Sequence, residues 1–283
     1  MNQIFPQTSR KVLINEIPAS NEINHPTMNN NDFPHHSGFN RGQGDMAGTG
    51  STLRRDTGMV NGDGSHYGHG YNQRSPVLIV YNLDSERFNC QKLFNLMSLY
   101  GNVNKINFIR SKEGCAMVEY ASSQSSLEAL KLLNNIFVFG NRINIEESRK
   151  MFVEEIRSPY DLPNGDKSFE NFIGDKNNRF NSPQQAAKNR LLPPTKVLHF
   201  YNVPKMDDDS MMDIFSDANA PFPAKVTWFD LKSSRGLSAT GLVEFETVEE
   251  AIEALVIVNN TEIEATQNVS TRPYVMKLCF ARS

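Results

Sequence analysis

The runs VLIVYNL (Val77–Leu83) and VLHFYNV (Val197–Val203) agree at four of seven positions and stand 120 residues apart, so one folding pattern is used twice. Each run reads as a buried strand, and the same succession of signals follows it. In the first copy Cys90, Leu93, Phe94, Met97 and Tyr100 recur at helical spacing and Gly101 closes that helix. VNKINFI (Val103–Ile109) alternates like a strand, Lys112-Glu113-Gly114 makes a turn, and CAMVEY (Cys115–Tyr120) alternates again. Leu127, Ala129, Leu130 and Leu133 line a second helix, Asn134-Asn135 stops it, and RINIEE (Arg142–Glu147) supplies a last strand beyond Gly140.

The second copy repeats the order with a helix on Met211, Ile214, Phe215 and Ala218, then KVTWFDL (Lys225–Leu231), a Ser-Ser-Arg-Gly turn and TGLVEFE (Thr240–Glu246). A helix on Ala251, Ala254, Leu255 and Val258 and the strand YVMKLCF (Tyr274–Phe280) complete it. The pattern predicts an α+β protein of two ferredoxin-like β-α-β-β-α-β domains, 76–150 and 196–283, each a sheet with both helices on one face. Asp207-Asp208-Asp209 stands where acid caps a helix N-terminus and complements its dipole.

Residues 1–75 are rich in Asn, Gly, His, Ser and Thr and offer little to pack, so a disordered low-complexity tail is expected there. Five histidines fall in it at irregular spacing, which predicts no specific metal site. Residues 151–195 form a linker that reads as irregular until Ser182-Pro183-Gln184-Gln185, whose residue types make a capping box. A short helix near 183–192 is predicted, ended by Pro193-Pro194.

A net charge of −3 counts against a protein built to neutralise phosphates, until it is divided by segment. Residues 196–283 hold eight basic and thirteen acidic residues, and most of those acids lie on or beside the predicted helices. No window reaches the roughly 18 apolar residues of a membrane span, and the amino terminus has no secretory pattern, so a soluble intracellular protein is expected. Cys90, Cys115 and Cys279 fit neither a disulfide framework nor zinc-ligand spacing and are expected to be reduced structural thiols. No catalytic triad, metal cluster or phosphate-cradling glycine loop is present, so no enzyme and no cofactor is expected.

Strand alternation sorts the side chains. Leu78, Val80, Ile106, Phe108, Ala116, Val118, Ile143 and Ile145 should face the helices of the first domain. Its open face should then carry Ile79, Tyr81, Cys115, Met117, Glu119, Lys105, Asn107, Arg142 and Asn144, a shallow apolar floor with a basic rim. Lys105, Lys112, Arg142, Arg149 and Lys150 are the expected phosphate contacts, and Asn107, Asn144 and Ser148 the expected readers of base edges. In the second domain the same sorting exposes His199, Tyr201, Lys225, Thr227, Phe229, Thr240, Leu242, Lys277 and Cys279, with Tyr201 and Phe229 the best stacking residues.

LIVYNL (Leu78–Leu83) and EGCAMVEY (Glu113–Tyr120) resemble the two sequence signatures of the RNA-recognition motif, as do LHFYNV (Leu198–Val203) and SATGLVEF (Ser238–Phe245). Where that family usually stacks bases stand Ile79, Cys115 and Met117, then His199, Thr240 and Leu242, so its standard aromatics are missing. This pattern is similar to the polypyrimidine tract-binding family over the last two of its four motifs. SPVLIVYNL (Ser75–Leu83), LYGNVNKINFIRSKEGCAMVEY (Leu99–Tyr120), NNRFNSPQQAAKNR (Asn177–Arg190) and KVLHFYNVP (Lys196–Pro204) carry the likeness. A fragment, a short isoform or a reduced relative would carry two motifs of four. The resemblance implies motifs packed helix face to helix face through the linker, with Phe180, Ala186, Ala187, Leu191 and Leu192 supplying the contact.

The resemblance implies a monomeric binder of single-stranded CA-rich or pyrimidine-rich pre-mRNA that regulates splicing and mRNA processing in the nucleus, with shuttling to the cytoplasm. Other splicing or ribonucleoprotein factors would be partners, and membranes would not. A protein-protein interaction module is the alternative: the second domain has the acidic first helix of such modules but no Arg-x-Phe in the matching loop. An enzyme on this fold is the third reading and lacks residues to support it.

Overall fold

The computed structural model describes residues 74–230, 238–264 and 273–282. The expectations for the tail, apart from Arg74 and Ser75, and for the turn at 233–236 lie outside the described residues.

The first copy runs β1 (Val77–Tyr81), α1 (Cys90–Met97), β2 (Val103–Phe108), β3 (Ala116–Tyr120) and α2 (Ser123–Leu133). A ribbon of β4 (Phe137–Val138) and β5 (Asn141–Arg142) follows, then β6 (Asn144–Glu147). Between the copies lie β7 (Phe169–Asn171) and the one-turn α3 (Pro183–Ala186). The second copy runs β8 (Val197–Pro204), α4 (Asp208–Asp217), β9 (Lys225–Trp228), β10 (Ser238–Glu244) and α5 (Val248–Val258), then a ribbon of β11 (Glu262–Ile263) with β12 (Tyr274–Val275), and β13 (Lys277–Phe280). The two antiparallel sheets have the orders β6-β1-β3-β2-β7 and β13-β8-β10-β9. The predicted fold class is therefore the observed one.

Side-chain caps fix the helix starts. Asn89, Ser122, Asp207 and Thr247 each accept a backbone N–H of the first turn, and Thr247 forms a full capping box with Glu250. Gly114 turns the β2–β3 connection at φ +66°, and a Cβ there would sit 2.6 Å from the Leu83 carbonyl oxygen.

Asparagines tie the repeat together. Asn82 and Asn202 occupy left-handed backbone at φ 62° and 59°, and their Nδ2 atoms donate to the carbonyls of Arg142 and Val275. Asn134 and Asn259 in turn accept the N–H groups of Ile145 and Leu278. These bonds explain why neither last strand is continuous as expected. Just before RINIEE the chain turns at Phe139-Gly140, both at positive φ, so Arg142 closes a ribbon with Phe137 and only Asn144–Glu147 joins the sheet. YVMKLCF divides at Met276 in the same way.

The linker also departs from expectation. Its β7 adds a fifth strand beside β2, with Lys105 opposite Asn171 and Asn107 opposite Phe169. Aromatic burial drives this: Phe172 is fully buried and stacks on Phe94, ring centres 4.3 Å apart. The predicted helix near 183–192 begins at the Ser182 cap but ends at Ala186, so Ala187 and Leu191 stay exposed and do not supply the packing expected of them.

The contact between the domains is made by α1 and α5. Buried Asn95 on α1 donates to the Val256 carbonyl at 2.9 Å, its own carbonyl accepts from Asn259, and its Oδ1 accepts from Asn260. Glu253 accepts the Phe139 N–H at 2.8 Å and ion-pairs with Arg87 at 3.6 Å. α5 buries Ile252 and Val256 as well as Ala251, Ala254, Leu255 and Val258, more than one stripe can hold. Of the expected contacts, Leu192 packs on the shared core and accepts the Tyr100 hydroxyl through its carbonyl, while Phe180 and Ala186 are half-buried.

Candidate nucleic-acid interface

The open face expected of the first domain is covered by its own chain. Residues 151–155 cross it, and Val153 buries itself against Val77 and Met117. Glu119 accepts the Val153 N–H at 2.6 Å, and Lys105 donates to the Val153 carbonyl at 3.1 Å and pairs with Glu155 at 3.4 Å. Met117 is left 8% exposed and Cys115 3%, so neither forms an accessible floor, and burial pushes the Cys115 thiol up. The cause is complementarity: an apolar residue fills the floor while the strap's backbone satisfies the one carboxylate and one ammonium that flank it.

The other residues expected on this face are scattered. Ser148 is buried and accepts from the Lys150 N–H, while Lys150 pairs with Glu154 at 3.5 Å. Ile79, Asn107 and Asn144 are half-buried. Arg142 and Arg149 are exposed, Arg142 on the ribbon away from the sheet. Lys112 stands 4.3 Å from the centre of the Tyr81 ring, whose hydroxyl donates to Glu146. Burial, then Glu146, raises the Tyr81 hydroxyl above its ordinary value.

The second domain's face is different. The registers place Tyr201 between Thr240 and Lys277, and His199 between Leu242 and Cys279, on one side of the sheet. Tyr201, His199 and Phe229 form a row of rings with successive centres 5.6 and 5.8 Å apart, at 28° and 27° between planes. Phe229 is 43% exposed, and its N–H is held by the Thr240 carbonyl. Lys225 and Thr227 are exposed on the edge strand. Glu244, which would repel phosphate, is neutralised by Lys196 at 2.7 Å, a contact that holds its carboxyl below the usual range.

Hydrogen bonding fixes the histidine. The Thr240 hydroxyl donates to the Phe200 carbonyl at 2.7 Å, so its oxygen accepts from His199 Nε2 at 2.8 Å and the proton sits there. Burial, then the Arg179 guanidinium, lowers the His199 pKa below 6.5. Burial raises the Tyr201 and Cys279 groups, so all three are neutral near pH 7.

A groove of about 940 Å3 runs over this row, and its second wall is the linker. Asn177, Arg179, Gln185, Asn189 and Leu192 line it opposite His199, Tyr201, Phe229, Thr240, Leu242 and Lys277. Arg179, like Asn177 and Asn189, is a groove residue that the sequence did not single out: it is 7% exposed, with its guanidinium 5.8 Å from the Tyr201 ring centre. One signal was available, a lone Arg between polar residues and Phe180 in a stretch otherwise read as irregular. Its geometry suits the face or edge of an extended polymer: rings to stack on, amides to read edges, cations at the margin.

The repeat, the sheet order and this face define RNA-recognition motifs, and the chain belongs to that family. The family model described as "RNA recognition motif (a.k.a. RRM, RBD, or RNP domain)" matches residues 54–175, and that described as "RRM domain" matches 188–283. Within the family the chain is similar to heterogeneous nuclear ribonucleoprotein L of Homo sapiens, at 38% identity over 229 residues, which is 77% of this chain and 38% of that protein. Polypyrimidine tract-binding protein homolog 3 of Arabidopsis thaliana is 32% identical over 197 residues, 69% of this chain and 41% of that one. The chain thus spans about two fifths of the length of these curated relatives. Among solved structures, the Sex-lethal RNA recognition domains 1 and 2 from Drosophila melanogaster cover 73% of this chain and 100% of that one, at 20% identity and a TM-score of 0.24, too loose a fit to carry an argument.

Proposed function

We propose that the chain binds single-stranded RNA in the groove of its second domain and acts on CA-rich or pyrimidine-rich pre-mRNA, in splicing and mRNA processing. The observation that carries this is the row Tyr201, His199 and Phe229 on an open sheet face, walled by the linker. Successive bases stack on such a row regardless of sequence, and Asn177 and Asn189 add edges that donate and accept. The relatives' names, a nuclear ribonucleoprotein and a polypyrimidine tract binder, support a nuclear site of action and the pyrimidine preference. Lys176, Arg179, Lys188, Arg190, Lys277 and Arg282 line the groove with no carboxylate among its described lining residues, so binding is expected to weaken as salt rises.

The first domain contributes less by direct contact, because its strap occupies the floor. Its role is to hold the linker wall, through the pairing of β2 with β7, the bonds between Val103 and Asn178, and the bond from the Phe180 N–H to Asn102. Selection of random RNA on the full chain, followed by fluorescence anisotropy at fixed salt, tests the reading. Enrichment of CA or pyrimidine runs supports it, and enrichment of no single-stranded sequence contradicts it.

A further inference from the structure

Two cations meet in the groove with no counter-charge. Lys277 Nζ donates to Asn177 Oδ1 and to Asn260 Oδ1, both at 2.6 Å. Arg179 Nη2 donates to Asn259 Oδ1 at 2.8 Å, and its Nε–H is buried with no acceptor. Among the described residues neither has a carboxylate within ion-pair distance. Neutral amides orient both groups without cancelling either charge. Buried or half-buried charges are ordinarily paired, so this site is electrostatically incomplete.

We infer that Arg179 and Lys277 together hold one backbone phosphate of a bound strand, so that the segment between the domains fixes the path of the RNA across the second sheet. The inference rests on the reading of the groove as the RNA site and adds the group that completes it. A phosphodiester fits: one negative charge, two free oxygens, and an attached base within reach of Tyr201.

Burial first, then Arg179, lowers Lys277 to about 7, with Lys176 lowering it further and Asp175 opposing. The other titratable groups facing it are His199 and Tyr201 from β8 and Cys279 from β13, and each stays neutral from pH 7 to 8.5 given the direction of its shift. A phosphate would raise Lys277 again, so binding takes up a proton: it is strongest below pH 7 and weakens as pH rises through and above it.

The test uses the full chain and single-stranded CA-repeat RNA in which one neutral methylphosphonate linkage is walked along the strand. For the wild type one linkage should cost roughly tenfold in Kd, and affinity should fall roughly tenfold between about pH 7 and 8.5 at constant salt. Lys277→Met should weaken the unmodified RNA, lose sensitivity at that linkage and flatten the pH profile. Arg179→Gln should reduce that sensitivity and move the fall to higher pH, because its removal lets Lys277 rise, an effect that loss of packing alone would not produce. RNA bound with a flat wild-type pH profile, or with linkage sensitivity unchanged in Lys277→Met, would overturn the phosphate seat and leave the RNA reading standing. Binding of no RNA at all would overturn both.

Discussion

The Glu119 carboxylate accepts the Val153 N–H at 2.6 Å across the face of the first sheet, a contact between a β3 residue and a strap 34 positions later. It closes a surface that strand alternation alone leaves open, and Lys105 locks the same residue by donating to its carbonyl.

Replacing Val153 by Asp should release the strap, since a second carboxylate would face Glu119 with the apolar contact to Met117 gone. Hydrogen–deuterium exchange should show faster exchange in β3 and residues 151–155, with the second domain unchanged. Loss of the buried valine should cost about 1.5–3 kcal/mol of stability in the first domain, read from its urea transition.

Asn95→Ala would strip the Val256 carbonyl and the Asn260 side-chain amide of their α1 partner. A buried carbonyl left unsatisfied costs about 1–3 kcal/mol, and the half-buried Asn260 amide adds less. NMR relaxation should show the two domains tumbling independently, while Leu191→Asp, on an exposed residue, should leave them coupled.

His199 is held neutral in the fold, with its pKa lowered by burial and by Arg179. The stability this confers is present above pH 6.5, the ordinary value, and is lost as pH falls through the lowered one. The second domain's melting temperature should therefore drop on acidification below pH 6.5, and His199→Phe should remove that part of the drop.

Much of the fold was legible because its signals are local. Period-two and helical runs, caps such as Asp207 and Ser182 and the 120-residue repeat made the element order and the sheet readable. What escaped depends on contacts distant in sequence. Phe169 and Phe172 read as loop residues until β2 and Phe94 are there to receive them. Ile252 and Val256 add a second apolar face to α5, a visible sign that it packs on two sides, yet nothing local names α1 as the other side. The face of the second domain was sorted correctly by alternation, and that of the first failed for one reason: alternation assigns a side of the sheet, and it is silent about a later segment that returns to cover it.

The central claim is that RNA lies on the second sheet against the linker. Titrating the isotopically labelled full chain with a single-stranded CA-rich or pyrimidine-rich RNA tests it most directly. The account predicts that chemical-shift changes concentrate at Tyr201, His199, Phe229, Thr240 and Arg179, and that Phe229→Ala weakens binding by roughly five- to hundredfold. Changes confined to Ile79, Met117 and Lys105, with affinity unaltered by Phe229→Ala, would contradict it.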